Sequence, residues 1–519
     1  MFRLRPLAIL ILSLSAAVSA SADEDPWAPF QAGGAAVDRI EVRVYAGFDT
    51  ADPHEDHWRG RAANFVHLTT RPRTVREALL FKEGDAVDAA VIRETERLLR
   101  NLPYVRDARI TPRQEQDGSL TALVVVHDAW SLNLGAKLNS VGGQTAWRVR
   151  VHELNLLGFG KQILISHEQD FERITDEFGY ADPQLFGTRW TFEGSYANLS
   201  DGESYEAVVE RPFFELSTPW SVGFDGARMR YNQKLYDDDQ TVYEFPSMDD
   251  HVSVYWKKQV SFRERTAWRA GVEFAVKQNS YGPLFTRRPG RIPKPDLSDR
   301  RFRGILLSLE VDQDRFRTYE NVVAVSRTED HNLGWQAQMR FGYFSEKLGS
   351  YEDAWHFDWE LAKGFRPHEE TLVLFKSEAH GRKVNTGFQD VFFHGELTLY
   401  NQSLASQTLA GDLDVVWGGH LDPESAVYLG GSDGLRGYPN HFRIGDRRWM
   451  VSVEDRVVTD WNLWGLVQAG FVVYADAGAI RWYHTGNWSR IYADVGGGLR
   501  FGNLKSAFDN SVEESALVC

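Results

Sequence analysis

The sequence predicts a mainly β protein, a transmembrane antiparallel β-barrel preceded by one small α/β domain. Three observations carry the prediction. Helical periodicity is confined to the first quarter of the chain. Period-two alternation runs through almost everything after Leu132, with aromatic residues on one parity. Beyond the N-terminal segment no uninterrupted apolar run approaches the ~18 residues of a spanning helix, so a membrane crossing has to be made by strands.

The first 22 residues read as an export signal. Arg3 and Arg5 precede an apolar stretch from Leu7 to Val18, and Ala20-Ser21-Ala22 is a small-residue cleavage site before Asp23. Residues 23–36, with Pro26, Pro29, Gly33 and Gly34, read as a flexible leader.

Residues 37–128 form the α/β domain. Ile40 to Val44 alternates as a strand, and Val75 to Leu80 opens a helical stretch ending near Glu83-Gly84-Asp85. Val87 to Leu102 is the clearest amphipathic helix, with Val91, Thr95, Leu98, Leu99 and Leu102 on one face. Val105 to Ile110 and Leu120 to His127 are strands joined by a turn at Asp117-Gly118. An insertion from Phe48 to Ala63 holds His54-Glu55-Asp56-His57, which is a solvated acidic loop rather than a metal cage, because two histidines do not make one.

The barrel is expected over residues 129–505. Trp268, Ala270, Val272, Phe274 and Val276 oppose Arg269, Gly271, Glu273, Ala275 and Lys277. Trp335, Met339, Phe341 and Tyr343 oppose Gln336, Gln338 and Arg340, and Trp355, Phe357 and Trp359 oppose His356, Asp358 and Glu360. A soluble β-sandwich also alternates. Its apolar face would hold mainly Val and Ile, however, and these segments run near the ~9–11 residues of a tilted spanning strand. Tyr236 to Gln240, Arg287 to Arg301 and Thr328 to Asn332 read as long outer loops between shorter turns.

Composition agrees with a wet-centred barrel. The chain has 17 Trp, 19 Tyr and 31 Phe, which belong in interfacial girdles, and a mean hydropathy of -0.40. A formal charge of -15 argues against a nucleic-acid partner. The single cysteine, Cys519, excludes an intramolecular disulfide. No cofactor or metal motif stands out. Gly158 to Lys161 is too short for a phosphate loop, and Gly430-Gly431-Ser432-Asp433-Gly434 matches a nucleophile elbow without the helix such an elbow requires.

The most informative segment lies late in the chain. Leu435-Arg436-Gly437-Tyr438 puts one arginine in a glycine-rich loop, and the following strands carry acids on their lumenal parity. In Val467 to Gly478 the even positions include Tyr474, Asp476 and Gly478, and in Arg490 to Phe501 Tyr492, Asp494 and Arg500 face inward. Glu454 also points inward, leaving Asp455 on the lipid side near the membrane boundary. A guanidinium folded back into that lumen can pair with Asp476 in a bidentate manner.

This wording resembles a superfamily of outer-membrane assembly and translocation barrels, that of BamA, TamA and the two-partner secretion translocators. The likeness extends from about residue 36 to about residue 505 and includes Phe81-Lys82-Glu83-Gly84-Asp85, Leu102 to Ala108, Asn155-Leu156-Leu157-Gly158 and Tyr180 to Gly187. It implies a POTRA domain over 37–128, a barrel of the 16-strand type, and a lumenal lock of Arg436 with Asp476 and Glu454. It also implies a non-enzymatic role in inserting or translocating other proteins at the bacterial outer membrane, with clients pairing on the edge strand of a periplasmic POTRA domain and with accessory assembly proteins as further partners. A two-partner secretion translocator and a passive porin or receptor barrel are the alternatives. The pattern departs at the end: residues 506–519 hold no ~10-residue alternating segment, so the last one or two strands of that barrel type are expected to be missing.

Overall fold

In a computed structural model the structure describes residues 26–45, 69–141, 143–289, 292–323, 328–463, 467–483, 485–503 and 517–518. The export segment, the insertion with His54 to His57 and most of the tail 506–519 lie outside these residues. No described helix is long and apolar enough to cross a membrane, a statement that has no bearing on crossing by strands.

The N-terminal module has the order strand, helix, helix, strand, strand. Leu120–Asp128 is the central strand, parallel to Arg39–Tyr45 and antiparallel to Val105–Gln114. Its alternate residues Leu120, Ala122, Val124 and Val126 are buried with the apolar sides of the helices Pro72–Ala78 and Ala89–Arg100. Proline opens the first helix, where its missing N–H costs nothing. Asp88 caps the second by accepting from the amides of Ala90 and Val91. The buried face of that helix runs through Ile92, Thr95 and Leu99, with Val91 and Leu102 at its margin, so the expected stripe is rotated slightly.

Residues 26–36 are not a flexible leader. Ala28–Ala32 is helical, and Trp27 is buried with its indole N–H donating to the Ile110 carbonyl at 2.9 Å. Proline and glycine content signals irregular backbone, but a single well-placed tryptophan outweighs it by anchoring the segment to the module core.

From Leu132–Val141 to Tyr492–Asn503 successive long strands pair antiparallel, and the sheet closes on itself. Among the described residues eighteen of these strands have nine or more residues. That exceeds the 16-strand type. The resembling segments sit at the two ends of the barrel and do not count the hairpins between them. Closure runs through Leu517–Val518, which pairs with Gly497 and Gly496. The edge left by the strands expected to be missing is therefore bridged, by two residue pairs among the described residues.

The alternation places side chains as read from the sequence. Trp268, Val272 and Phe274 are exposed on the outer surface while Arg269, Glu273 and Ala275 are buried within. Leu307 lies at mid-strand between Val272 and Phe341 in register, and all three are exposed on the same outer face.

The loop assignments need correction. Asp237 to Gln240 is a tight turn with Asp238 and Asp239 at φ 59° and 61°, joining the long strands Trp220–Asp237 and Gln240–Arg263. Thr328–Asn332 is a strand, paired with Phe316–Glu320 in a separate hairpin. This hairpin lies at the module end of the barrel, where Asp314 meets Arg97 of the module at 3.3 Å. Polar, turn-rich composition marks a connection but not the end of the barrel at which it sits.

The module docks on the early barrel turns. The Gly158 carbonyl accepts from the Arg71 amide at 2.9 Å and from the Thr74 hydroxyl at 3.0 Å, and Arg71 stacks 3.8 Å from the Phe159 ring centre. Arg189 donates to the carbonyls of Ala78 and Leu79 at the end of the first long helix. Gly158 has φ +78°, and a Cβ there would lie 2.4 Å from the Thr69 carbonyl oxygen. Only glycine fits both demands.

Candidate functional site

The connection between Gln407–Gly419 and Arg447–Leu463 returns into the barrel from the end opposite the module. Within it Val427–Leu429 and Arg443–Gly445 form a small two-stranded ladder. Leu435 anchors the loop apolarly, fully buried with Val416, Leu429, Ile480 and Tyr492. Gly434 sits at φ +104°, turning the chain so that the next side chain can point to the wall.

That side chain is Arg436. Its Nε and Nη2 donate to the two oxygens of Asp476 at 2.8 and 2.7 Å, a bidentate fork, while Nη1 donates to Glu454 at 2.5 Å. Nη2 also reaches the Ser452 hydroxyl at 3.0 Å, and Ser452 in turn donates to Asp476 at 2.7 Å. The guanidinium lies 3.4 Å from the centre of the Tyr474 ring. Asp476 is only 2% exposed, so both of its oxygens depend on these donors rather than on bulk water. The sequence-derived residues Arg436, Asp476 and Glu454 are thus brought together, with Tyr474 as the floor.

The surrounding glycines make the fit. Tyr474 lies opposite Gly496 in register, and a Cβ on Gly496 would lie 2.3 Å from the Tyr474 hydroxyl. A Cβ on Gly437 would come 2.7 Å from the Asp494 Cβ, so the loop backbone presses directly on that strand. Gly478 backs onto the Trp449 carbonyl, where a Cβ would sit 2.9 Å away. Tyr438 packs its ring against Phe442 and Tyr492 and donates its hydroxyl to the Ala493 carbonyl at 3.3 Å.

Sequence reading missed a second set of anchors. Arg382 grips Asp422 with two bonds of 2.6 and 2.7 Å, and Arg300 and Tyr281 both donate to Glu424. Tyr428 accepts from the Tyr236 amide at 3.2 Å, and Asn440 donates to Gln144 at 2.8 Å. The sequence places Arg300 in the outer loop Arg287 to Arg301 and makes no assignment for Arg382. Arg300 in fact opens the strand Arg300–Gln313 and Arg382 lies in Thr371–Val384, and pairing them with particular loop acids needs the loop path. Ser432, the centre of the elbow-like motif, lies in a single 3₁₀ turn, Gly431–Asp433, rather than between a strand and a helix.

No family model matches the chain, and no curated protein matches it. Solved structures do. The structural neighbours include BamA and CdiB. BamA from Haemophilus ducreyi lacking POTRA domains 1-3 aligns at 11% identity over 92% of this chain and 83% of its own, with a TM-score of 0.41. CdiB from Acinetobacter baumannii aligns at 10% identity over 89% and 74%, with a TM-score of 0.43. CdiB from Escherichia coli aligns at 10% over 90% and 76%, with a TM-score of 0.41. These are likenesses of fold, and the functional reading rests on the chain's own residues.

Proposed function

We propose that this chain is a bacterial outer-membrane barrel that assists the insertion or translocation of other proteins, with the N-terminal module acting as a periplasmic POTRA domain. The observation that carries the reading is the loop held in the lumen by Arg436 on Asp476 and Glu454. A loop anchored this firmly in the lumen leaves little room for a wide, steady channel. A barrel that opens for a client needs such a removable stop. Desolvation cancels much of the Coulomb gain of a buried pair, so the network serves to fix the loop conformation more than to add net stability.

Two further features support the reading. The outer face from strand to strand is apolar and aromatic, as lipid contact requires. Among the described residues Tyr492–Asn503 is joined on its closing side by two residue pairs, whereas on the other side it pairs with Val467–Arg481 along its whole length. A short ladder is the place where an incoming strand exchanges most easily. No covalent chemistry is needed for either step.

The test is depletion of the protein followed by an inventory of outer-membrane and secreted proteins. A broad fall in barrel proteins is the expected result and identifies an assembly role. Loss of one secreted protein identifies two-partner secretion. An unchanged inventory with a large, steady conductance in planar bilayers overturns the proposal in favour of a porin.

A further inference from the structure

The module-end hairpin does more than connect two strands. Residues 320–323, at the end of its first arm, fold into the barrel, and their four successive backbone carbonyls are each held by a side chain of the barrel strands or of the turn after Asn401. Gln402 donates to the Glu320 carbonyl at 2.6 Å, Thr408 to Asn321 at 2.9 Å, Arg456 to Val322 at 3.0 Å and Arg500 to Val323 at 2.5 Å. Val322 itself is 1% exposed and fills an apolar recess made by Leu372, Tyr400 and Ala410.

Contacts of this kind read backbone and ignore side-chain identity, apart from one apolar pocket. A connection serving only to link Arg300–Gln313 with Trp335–Phe344 has no use for them, since those strands are already paired as far as Asp312 and Gln336 and a short turn would join them. Two of the donors are guanidiniums, Arg456 and Arg500, on strands of the wall that flank Val467–Arg481 on its two sides.

We infer that this wall is a receptor site for an extended polypeptide, recognised through consecutive carbonyls and one apolar side chain, and that the hairpin tip is its internal occupant. The inference rests on the client-handling function proposed above and names where within the lumen a client segment binds. An entering segment takes the place of residues 320–323 on the same four donors. Because the recognition is of backbone, clients of unrelated sequence fit equally well, provided that one apolar side chain is available for the recess.

The experiment uses the full chain in detergent and a variant in which residues 314–334 are replaced by a short Asn-Gly turn. Heat-modifiable gel migration reports that each is folded. The probes are fluorescent, end-blocked peptides: one with the tip sequence Tyr-Glu-Asn-Val-Val, and one of unrelated sequence with a central valine. Expected results are that the trimmed variant binds both peptides, that the full chain binds them at least about 10-fold more weakly, and that Arg456→Ala with Arg500→Ala in the trimmed background removes most binding, as loss of two charge-assisted hydrogen bonds implies. Val322→Asp in the full chain, which unseats the tip without shortening the chain, should raise binding in the same direction. A folded trimmed variant that binds neither peptide overturns the inference, as does binding that survives loss of both arginines. Binding of the tip peptide alone shows a plug and not a client site. The measurement is separate from the depletion inventory, so failure of this site and failure of the proposed function are told apart.

Discussion

Asp476 concentrates the demands of the returning loop. It accepts two bonds from the Arg436 guanidinium, one from the Arg436 amide and one from Ser452 while nearly sealed from solvent. Breaking a buried pair by neutralising one partner costs about 3–5 kcal/mol, because the other charge stays buried. Asp476→Asn is therefore expected to free the 430–442 loop, seen as rapid protease cleavage there in an otherwise folded barrel. Arg436→Lys keeps the charge but loses the fork, and an intermediate cleavage rate is expected. The triad was legible because a rare combination, arginine between glycines and an acid on the inward parity of a later strand, is visible one residue at a time. The Arg382–Asp422 and Arg300–Glu424 pairs were not, since the partners come from strand ends and a loop whose path the local sequence pattern does not fix.

At the scale of elements, the turn Leu157 to Gly160 carries the docking of the module. Gly158→Val demands both an unfavourable φ and displacement of the Thr69 carbonyl. Trypsin is then expected to cut at Arg71 and Arg73 many times faster than in the parent chain. Within the module, Glu96 accepts the Ile110 amide at 2.6 Å from a half-buried position, and burial raises its carboxyl above the ordinary range. A carboxyl raised in the folded state favours folding while protonated, and that contribution is lost as pH rises from the unfolded pKa through the folded one. Urea-dependent proteolysis of residues 69–128 between about pH 4 and pH 7 should show stability falling with pH, and Glu96→Gln should flatten the trend. The helices and strands of this module were readable from periodicity and caps, with boundaries a few residues off. The helix Ala28–Ala32 was not, because its formation depends on Trp27 meeting Ile110, a contact 83 residues away in sequence.

For the whole molecule the decisive property is which face meets which solvent. Leu307 is 63% exposed at mid-strand, whereas Ser308 beside it points inward and is buried. If the outer face lies in a bilayer, Leu307→Arg costs about 2–4 kcal/mol; in water it would be close to neutral. Reconstitution yield into lipid vesicles, with the same substitution compared in detergent, is expected to show a loss confined to lipid. The run of two-faced strands was legible because its two-residue rhythm is local, whereas its closure was not, because the last residues carry no alternating segment. The number of its strands was not, since counting hairpins requires their register, and neither was the inward course of the module-end hairpin.

One carboxylate joins the two ends of this lumen. Glu454 gives one oxygen to Arg436 of the distal loop and the other, at 2.7 Å, to Arg456, which holds the Val322 carbonyl of the module-end hairpin. Occupancy at the inner mouth and posture at the outer mouth are therefore tied to a single shared anion. On the client-handling proposal, a segment that displaces the hairpin from Arg456 would alter the charge balance around the same Glu454 that holds Arg436.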